Sequence, residues 1–409
     1  MSSHSLKIAQ FITQYPYPEQ FDGGADYYCA GAARVAQQIS EAFARKGHEV
    51  HVYTAADGPR YEETEQNGVI VHRSPSITRI NTTEIPPTIL LDHVKTGDFD
   101  VIHAHNSTPP GMLAAYVKSR FEDTPLVITH HGGEQYESHG GLVRRGGLYL
   151  YTRVLIHELF GYATQVTIPS AGYIKESQVL TNPDVDVTRL RNGVPVDKFD
   201  MDLTQAEAKT ELGLDPDEFV ILYMGALHQR KGPDVLVKAF EQIDDDIGDT
   251  TLIMAGSGGL AESLRADAGR LGVDDAVSFP GFVPEAEKPT YLAAADVFVL
   301  PSTTGGAEMF PLAILEAAAA GTPVVTSDFP TLRPIIEEYD IGRLVQPGDA
   351  DDLAEAITDI CDEETLTEYS ANALRMARDH SWDEIADEYL SLYEDVIAED
   401  CTTGPQQPL

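Results

Sequence analysis

Two carboxylates, Glu308 and Glu316, stand eight residues apart in the segment Pro301-Ser302-Thr303-Thr304-Gly305-Gly306-Ala307-Glu308-Met309-Phe310-Pro311-Leu312-Ala313-Ile314-Leu315-Glu316-Ala317. A strand-like run ends at Leu300, and Pro311 suits the first turn of the helix that follows, where a missing N–H loses nothing. A helix start offers free N–H groups and the positive end of the helix dipole to an anion. Eight residues at ~1.5 Å each put the carboxylates about 12 Å apart along the axis. That span suits a nucleotide-diphosphate sugar, with one acid for sugar hydroxyls, the phosphates over the helix start, and the other acid for the ribose diol. Taken alone, the pair reads more readily as a capping acid and a solvated helix residue.

A second segment bears on the choice. Phe219-Val220-Ile221-Leu222-Tyr223-Met224 reads as a strand, Gly225 as a turn, and Arg230-Lys231-Gly232 precede a helix. Adjacent cations in a strand-to-helix loop suit a diphosphate.

These residues need a scaffold, and the chain supplies one by alternation. Strand-like runs at 6–13, 49–53, 69–71, 100–104, 126–129 and 166–168 are spaced by helical segments; Val35, Ile39, Ala42 and Phe43 mark one apolar helix face. The pattern restarts after the acidic stretch 197–218, with strands expected at 219–224, 250–255, 276–279, 296–300 and 323–326 and helices at 233–243, 259–271, 311–320 and 350–361. Strands alternating with helices predict an α/β chain with parallel sheets covered on both faces. The expected division is 1–196 and 197–380, two Rossmann-like doubly wound domains facing a central cleft, with a helix from 381 packing back on the first and a frayed tail ending at 409.

At this point several motifs resemble one family together. Residues 308–316 are similar to the E-x7-E motif of glycosyltransferase family 4, the retaining nucleotide-sugar transferases of the GT-B fold, and Leu315-Glu316-Ala317 through Gly321-Thr322-Pro323-Val324-Val325 to its continuation. Gly225 to Gly232 resembles its G-R-L-x-x-x-K-G, and Arg191-Asn192-Gly193-Val194 to Phe199 its N-G-V-D-x-x-x-F. Asp100-Val101-Ile102-His103-Ala104-His105, Thr129-His130-His131-Gly132, Gly47-His48-Glu49-Val50 and Gly281-Phe282-Val283 match further signatures, from about residue 7 to 395.

The resemblance implies a hexosyltransferase that keeps the anomeric configuration. It implies catalytic roles for His131 and Glu308, both at the transferred sugar. Its donor-binding set is Gly31, Arg230, Lys231, Val283, Phe310, Leu312 and Glu316; Lys231 meets the diphosphate, Glu316 the ribose, and the backbone around Val283 the base. No metal and no other cofactor are implied; helix dipole and cations do that work. Three departures stand out. Ala226 replaces the family's arginine, with Arg230 four residues on as a substitute. Pro311 stands where glycine is common. Phe329 to Pro334 replaces a glycine-rich loop. Gly23-Gly24 has the paired glycines of a flexible lip, and Gly31 the spacing of the helix start.

Other signals point elsewhere more weakly. His103, His105, His130 and His131 end two adjacent strands without a ligand spacing, and no Cys or acid set joins them. Gly256-Ser257-Gly258-Gly259 lacks a convincing ribose acid about 20 residues on. Residues 140–161 carry Arg144, Arg145 and Arg153 against Glu158 amid apolar residues. They read either as a rim touching a lipid headgroup or as a buried helix with a cationic end. The acceptor is accordingly expected to be a glycan or lipid-linked. The alternative is a sugar-nucleotide epimerase or a non-catalytic nucleotide-sugar binding protein of the same architecture.

Composition excludes more than it assigns. The chain has 409 residues and 42% hydrophobic residues, enough for two cores. Its 28 Lys and Arg against 66 Asp and Glu give a net charge of −38, which disfavours nucleic acid as a partner. Cys29, Cys361 and Cys401 form no metal or disulfide pattern. Met1 to Ser5 is short and polar, so a cytoplasmic protein is expected, with any membrane contact peripheral. The acidic excess, spread along the whole chain, reads as the surface of a halophilic protein whose self-repulsion is screened at high salt. Melting temperature measured against KCl should therefore rise with salt; a salt-independent value would overturn this reading.

Overall fold

The computed structural model describes residues 5–17, 31–76, 79, 80, 83, 84, 86, 88, 89, 97–106, 109–132, 146, 149–175, 177, 179–182, 185–247, 249–305 and 308–403. The chain divides into two compact units. The first runs through Asn192 and includes the chain from Trp382 onward; the second is Gly193–Ser381.

In the first unit the strands are β1 (Lys7–Phe11), β2 (Glu49–Ala55), β3 (Glu62–Gln66), β4 (Val69–Ser74), the small pair β5 (Arg79–Ile80) and β6 (Thr83–Glu84), β7 (Val101–Asn106), β8 (Leu126–His130), β9 (Gln165–Ile168) and β10 (Val187–Arg189). Eight of them form one sheet in the order β10-β9-β8-β7-β1-β2-β4-β3. All neighbours are parallel except β3, which returns antiparallel on β4. That hairpin turns at Asn67 and Gly68, both at positive φ (49° and 81°), the backbone that asparagine and glycine tolerate best. The strand order reverses at β1 and β7, the point where side chains at the carboxyl ends of strands can converge.

Buried Arg73 anchors the segment that follows β1, donating to the carbonyls of Tyr15 (2.8 Å) and Pro16 (2.7 Å) and lying over the Tyr17 ring. The final helix, Trp382–Thr403, packs on this unit. Its Trp382 indole donates to Gln38 (2.7 Å), Glu388 pairs with Arg191 (2.6 Å), and buried Tyr389 and Tyr393 meet Phe43. The tail beyond Thr403, and Gly23-Gly24, lie outside the described residues.

The second unit holds β11 (Phe219–Met224), β12 (Thr250–Ala255), β13 (Val277–Gly281), β14 (Val297–Leu300), β15 (Val324–Ser327) and β16 (Gly342–Val345). They form an all-parallel sheet in the order β13-β12-β11-β14-β15-β16. Strand periodicity sends alternate residues to opposite faces. Val220 and Leu222 join a core with Ile314, Leu315 and Met376, while Ile221 and Tyr223 join another with Leu236, Phe240 and Ile357. Covering both faces explains why these strands are nearly unbroken apolar runs. Here too the order reverses, between β11 and β14, so the loops that leave these two strands lie side by side.

Candidate active site

Those two loops carry the cations Arg230 and Lys231 and the acid Glu308 singled out above. The loop after β11 runs through a short 3-10 turn, Gln229–Lys231, and ends at Gly232 in the left-handed region (φ 65°). A Cβ on Gly232 would lie 2.0 Å from the Pro301 carbonyl oxygen, so only glycine fits. Thr303 then ties the loops together: its N–H donates to Arg230 O and its hydroxyl to Gln229 O, both at 2.9 Å. This close approach brings Lys231 against Glu308 in a tight ion pair. The Ser302 hydroxyl donates to the same Glu308 oxygen at 2.7 Å. Glu308 is only 2% exposed, so its carboxylate depends on these two partners. Arg230 is exposed.

The geometry between the two acids differs from the expectation. Pro311 is extended (ψ 128°) and precedes the helix, which spans Leu312–Ala319. The helical rise therefore begins at Leu312, past Glu308, and covers only part of the eight-residue step to Glu316. Glu308 does not cap this helix; its side chain turns to Lys231. Glu316 is not a solvated residue, being 7% exposed with Lys288 Nζ at 3.2 and 3.4 Å from its two oxygens.

The other residues expected to bind the donor divide by what they can offer. Leu312 is the first helical residue and is half-buried. Phe310 is buried with its ring stacked on His380 (5.5 Å), and Val283 is buried in the core, so any contact they make with a ligand is through backbone. Gly256 and Gly258 have a structural explanation. A Cβ would lie 1.8 Å from Gly225 O at the first and 2.3 Å from Leu227 O at the second, so the glycines let two loops touch.

Gly31 and His131 belong to the first unit. Gly31 opens the helix Gly31–Arg45. His131 follows β8 and is partly exposed, at the end of a hydrogen-bonded series of buried side chains. Its Nε2 lies 2.9 Å from His105 Nδ1, and His105 Nε2 lies 2.8 Å from Gln10 Oε1. An amide oxygen only accepts, so His105 carries its proton on Nε2, and His131 donates from Nε2 and keeps a bare Nδ1. Beside them His103 joins Thr129 (2.6 Å) and Tyr393 (2.6 Å). Burial pushes these imidazoles down, His103 to about 3 and His131 to about 4, so both are neutral at pH 7. Among the described residues no group of three or more His, Cys, Asp or Glu is placed to hold a metal ion.

Comparison with known proteins bears on the family. Residues 204–378 match the model of glycosyl transferases group 1, and residues 30–198 that of glycosyltransferase family 4. An uncharacterized glycosyltransferase of Methanocaldococcus jannaschii, MJ1607, is 30% identical over 95% of this chain and 98% of its own. The chain belongs to the glycosyltransferases. A phosphatidyl-myo-inositol mannosyltransferase of Mycobacterium leprae is 27% identical to this glycosyltransferase over 88% of its chain and 91% of the relative's. The HepE structure from Anabaena, in complex with UDP and glucose, superposes with a TM-score of 0.74 at 20% identity, covering 95% of this chain and 99% of that one. The shared architecture is the GT-B fold.

Lys231 of this glycosyltransferase can be tested in isolation from the nucleoside. Lys231→Ala should weaken a nucleoside diphosphate roughly tenfold or more relative to the bare nucleoside, the loss of one charge-assisted contact. It should also lower stability to urea by about 3 kcal/mol by leaving Glu308 buried without its cation, and Glu308→Gln in the same chain should restore much of it. Equal loss of affinity for both ligands in calorimetry would place Lys231 away from the phosphates.

Proposed function

We propose that the protein transfers a hexose from a nucleotide-diphosphate sugar to a glycan or lipid-linked acceptor, with retention of anomeric configuration and without a metal ion. The observation that carries this reading is the pairing of lysines with acids in the second unit: Lys231 with Glu308 on adjoining loops before the helix start, and Lys288 with Glu316 inside the helix. The proposed donor has a diphosphate for Lys231 and exposed Arg230, a sugar for Glu308, and a ribose for Glu316. In the free protein Lys231 neutralises Glu308. A bound diphosphate would share that ammonium and leave Glu308 to the sugar hydroxyls. His131, neutral and with a bare Nδ1, is suited to accept a hydrogen bond from a sugar hydroxyl.

In the proposed reaction the acceptor oxygen bonds to the anomeric carbon on the face from which the diphosphate leaves. The bond from that carbon to the phosphate oxygen breaks, its electron pair goes to the diphosphate, and the diphosphate oxygen takes the acceptor's proton. The cations and helix dipole stabilise the negative charge that grows on the leaving group. The relative named as acting on phosphatidyl-myo-inositol supports a lipid-linked acceptor.

A further feature favours the lipid-linked form. Tyr149, Leu150, Val154 and Leu155 of the first unit are exposed, Leu150 at 55% and Val154 at 56%, across a π-helical turn at Tyr151–Leu155. Single exposed apolar residues are ordinary, but a run of them at one turn suits insertion at a lipid interface. Leu148, Arg144 and Arg145, and the side chain of Arg153, lie outside the described residues. Among the described residues no helix is long and apolar enough to cross a membrane.

Four experiments test these readings. Glu308→Gln should retain most donor affinity but lose turnover, because a contact that strengthens as positive charge grows on the sugar acts mainly in the transition state. In the wild type, NMR of the product should show the donor's anomeric configuration, and turnover should persist in EDTA. Inversion, strict dependence on a divalent ion, or epimerised nucleotide sugar formed without acceptor would each refute the corresponding part. Replacing Leu150, Val154 and Leu155 by Ser should reduce sedimentation with phosphatidylglycerol vesicles and leave acceptor-independent donor hydrolysis intact. Equal sedimentation of variant and wild type would remove the membrane reading.

A further inference from the structure

The Glu316 carboxylate does not stand alone. Lys288, the first residue of the helix Lys288–Ala294, holds its ammonium 3.2 and 3.4 Å from the two Glu316 oxygens. The same ammonium lies closer, 2.7 Å, to Glu285 Oε1, and Glu285 Oε2 lies 2.9 Å from Lys198 Nζ. The result is a row of alternating charge, Lys198, Glu285, Lys288 and Glu316. The last three side chains of the row are 11%, 15% and 10% exposed. Three of the ten lysines in this acidic chain, Lys198, Lys231 and Lys288, face Glu285, Glu308 and Glu316.

The distances have a chemical meaning. Lys288 is anchored on Glu285 and stands off Glu316, touching both of its oxygens about equally. An ionised carboxylate has about four lone-pair positions. One ammonium at two long contacts occupies at most two of them, which leaves one on each oxygen. Two parallel acceptors match the two adjacent hydroxyls of a ribose. Without Lys288 the carboxylate is free to rotate; without Glu285 the ammonium can close on Glu316 and take its lone pairs.

We propose that Lys288, anchored by Glu285, is a positioning residue that presents both Glu316 oxygens to the ribose cis-diol and so sets the preference for a ribonucleotide over its 2′-deoxy form. This rests on the reading of Glu316 as the ribose ligand, and the experiment separates the two. Calorimetry with UDP, GDP and ADP identifies the base bound, and the 2′-deoxy form of that diphosphate is then compared with it. The wild type should favour the ribonucleotide roughly tenfold or more, as expected for a hydroxyl donating to a charged acceptor.

Lys288→Met should reduce this ratio to within about threefold, while any general loss of diphosphate affinity falls on both ligands alike. Lys288→Arg, which keeps a cation at the position, should recover part of the ratio. An undiminished ratio in Lys288→Met overturns the proposal. Should that variant fail to fold, Glu285→Gln is read instead, with the same expected fall and the same overturning result. A wild type without ribose preference, or a Glu316→Ala variant that keeps it, instead overturns the assignment of Glu316.

Discussion

The second unit of this protein depends on one contact, the ion pair of Lys231 with Glu308. A carboxylate as buried as Glu308 needs a cation and a hydrogen-bond donor or it becomes a large penalty. Lys231 comes from the loop after β11, and Ser302 from the loop after β14 that carries Glu308 itself. The loops can meet because Gly232 has no Cβ to strike the Pro301 carbonyl, and because the order of a doubly wound sheet reverses between those two strands. The ion pair therefore follows from the topology and from one glycine, and the helix Leu312–Ala319 starts where the paired loop ends.

The first unit solves a different problem with neutral groups. Its strand order reverses at β1 and β7, where Gln10, His103 and His105 project among buried residues and His131 follows the neighbouring β8. No cation or carboxylate is needed, because burial keeps the imidazoles uncharged and each hands its hydrogen bond to the next. A chain of neutral donors and acceptors has a direction, and the acceptor-only oxygen of Gln10 sets it. The final helix contributes Tyr393 and Tyr389 to the same network, so the end of the chain stabilises side chains at its beginning.

Much of this was legible in the residues, and the gaps have physical causes. The apolar runs of β11, β12, β14 and β15 and the pair Arg230-Lys231 before Gly232 declare strands and a cationic loop directly. Glu308 and Glu316 were also legible as a pair, but not where the helix between them starts. The expectation assumed that Pro311 lies inside the helix, whereas its extended ψ delays the helix to Leu312. Strand β3 escaped notice because Glu62-Glu63-Thr64-Glu65-Gln66 has no apolar residue, although the Asn67-Gly68 turn beside it is a strong hairpin signal. Lys288 was invisible for another reason. It lies 28 residues from Glu316 in sequence, and nothing local marks a lysine that pairs across the fold.

The excess of negative charge gives these pairs an additional role. With a net charge of −38, the field of the whole chain opposes the approach of any anion, a diphosphate included. Mobile ions weaken that long-range repulsion, since exposed charges more than about 8–10 Å apart are screened at ordinary ionic strength. They weaken the contacts of Lys231 and Lys288 much less, because the carboxylates these lysines meet are buried and in direct contact. Salt therefore acts unequally on the two terms: it removes the barrier around the protein and leaves the attraction inside the site. An acidic surface and the proposed lysine-lined donor site are compatible because one works over distances that salt screens and the other over distances that it does not.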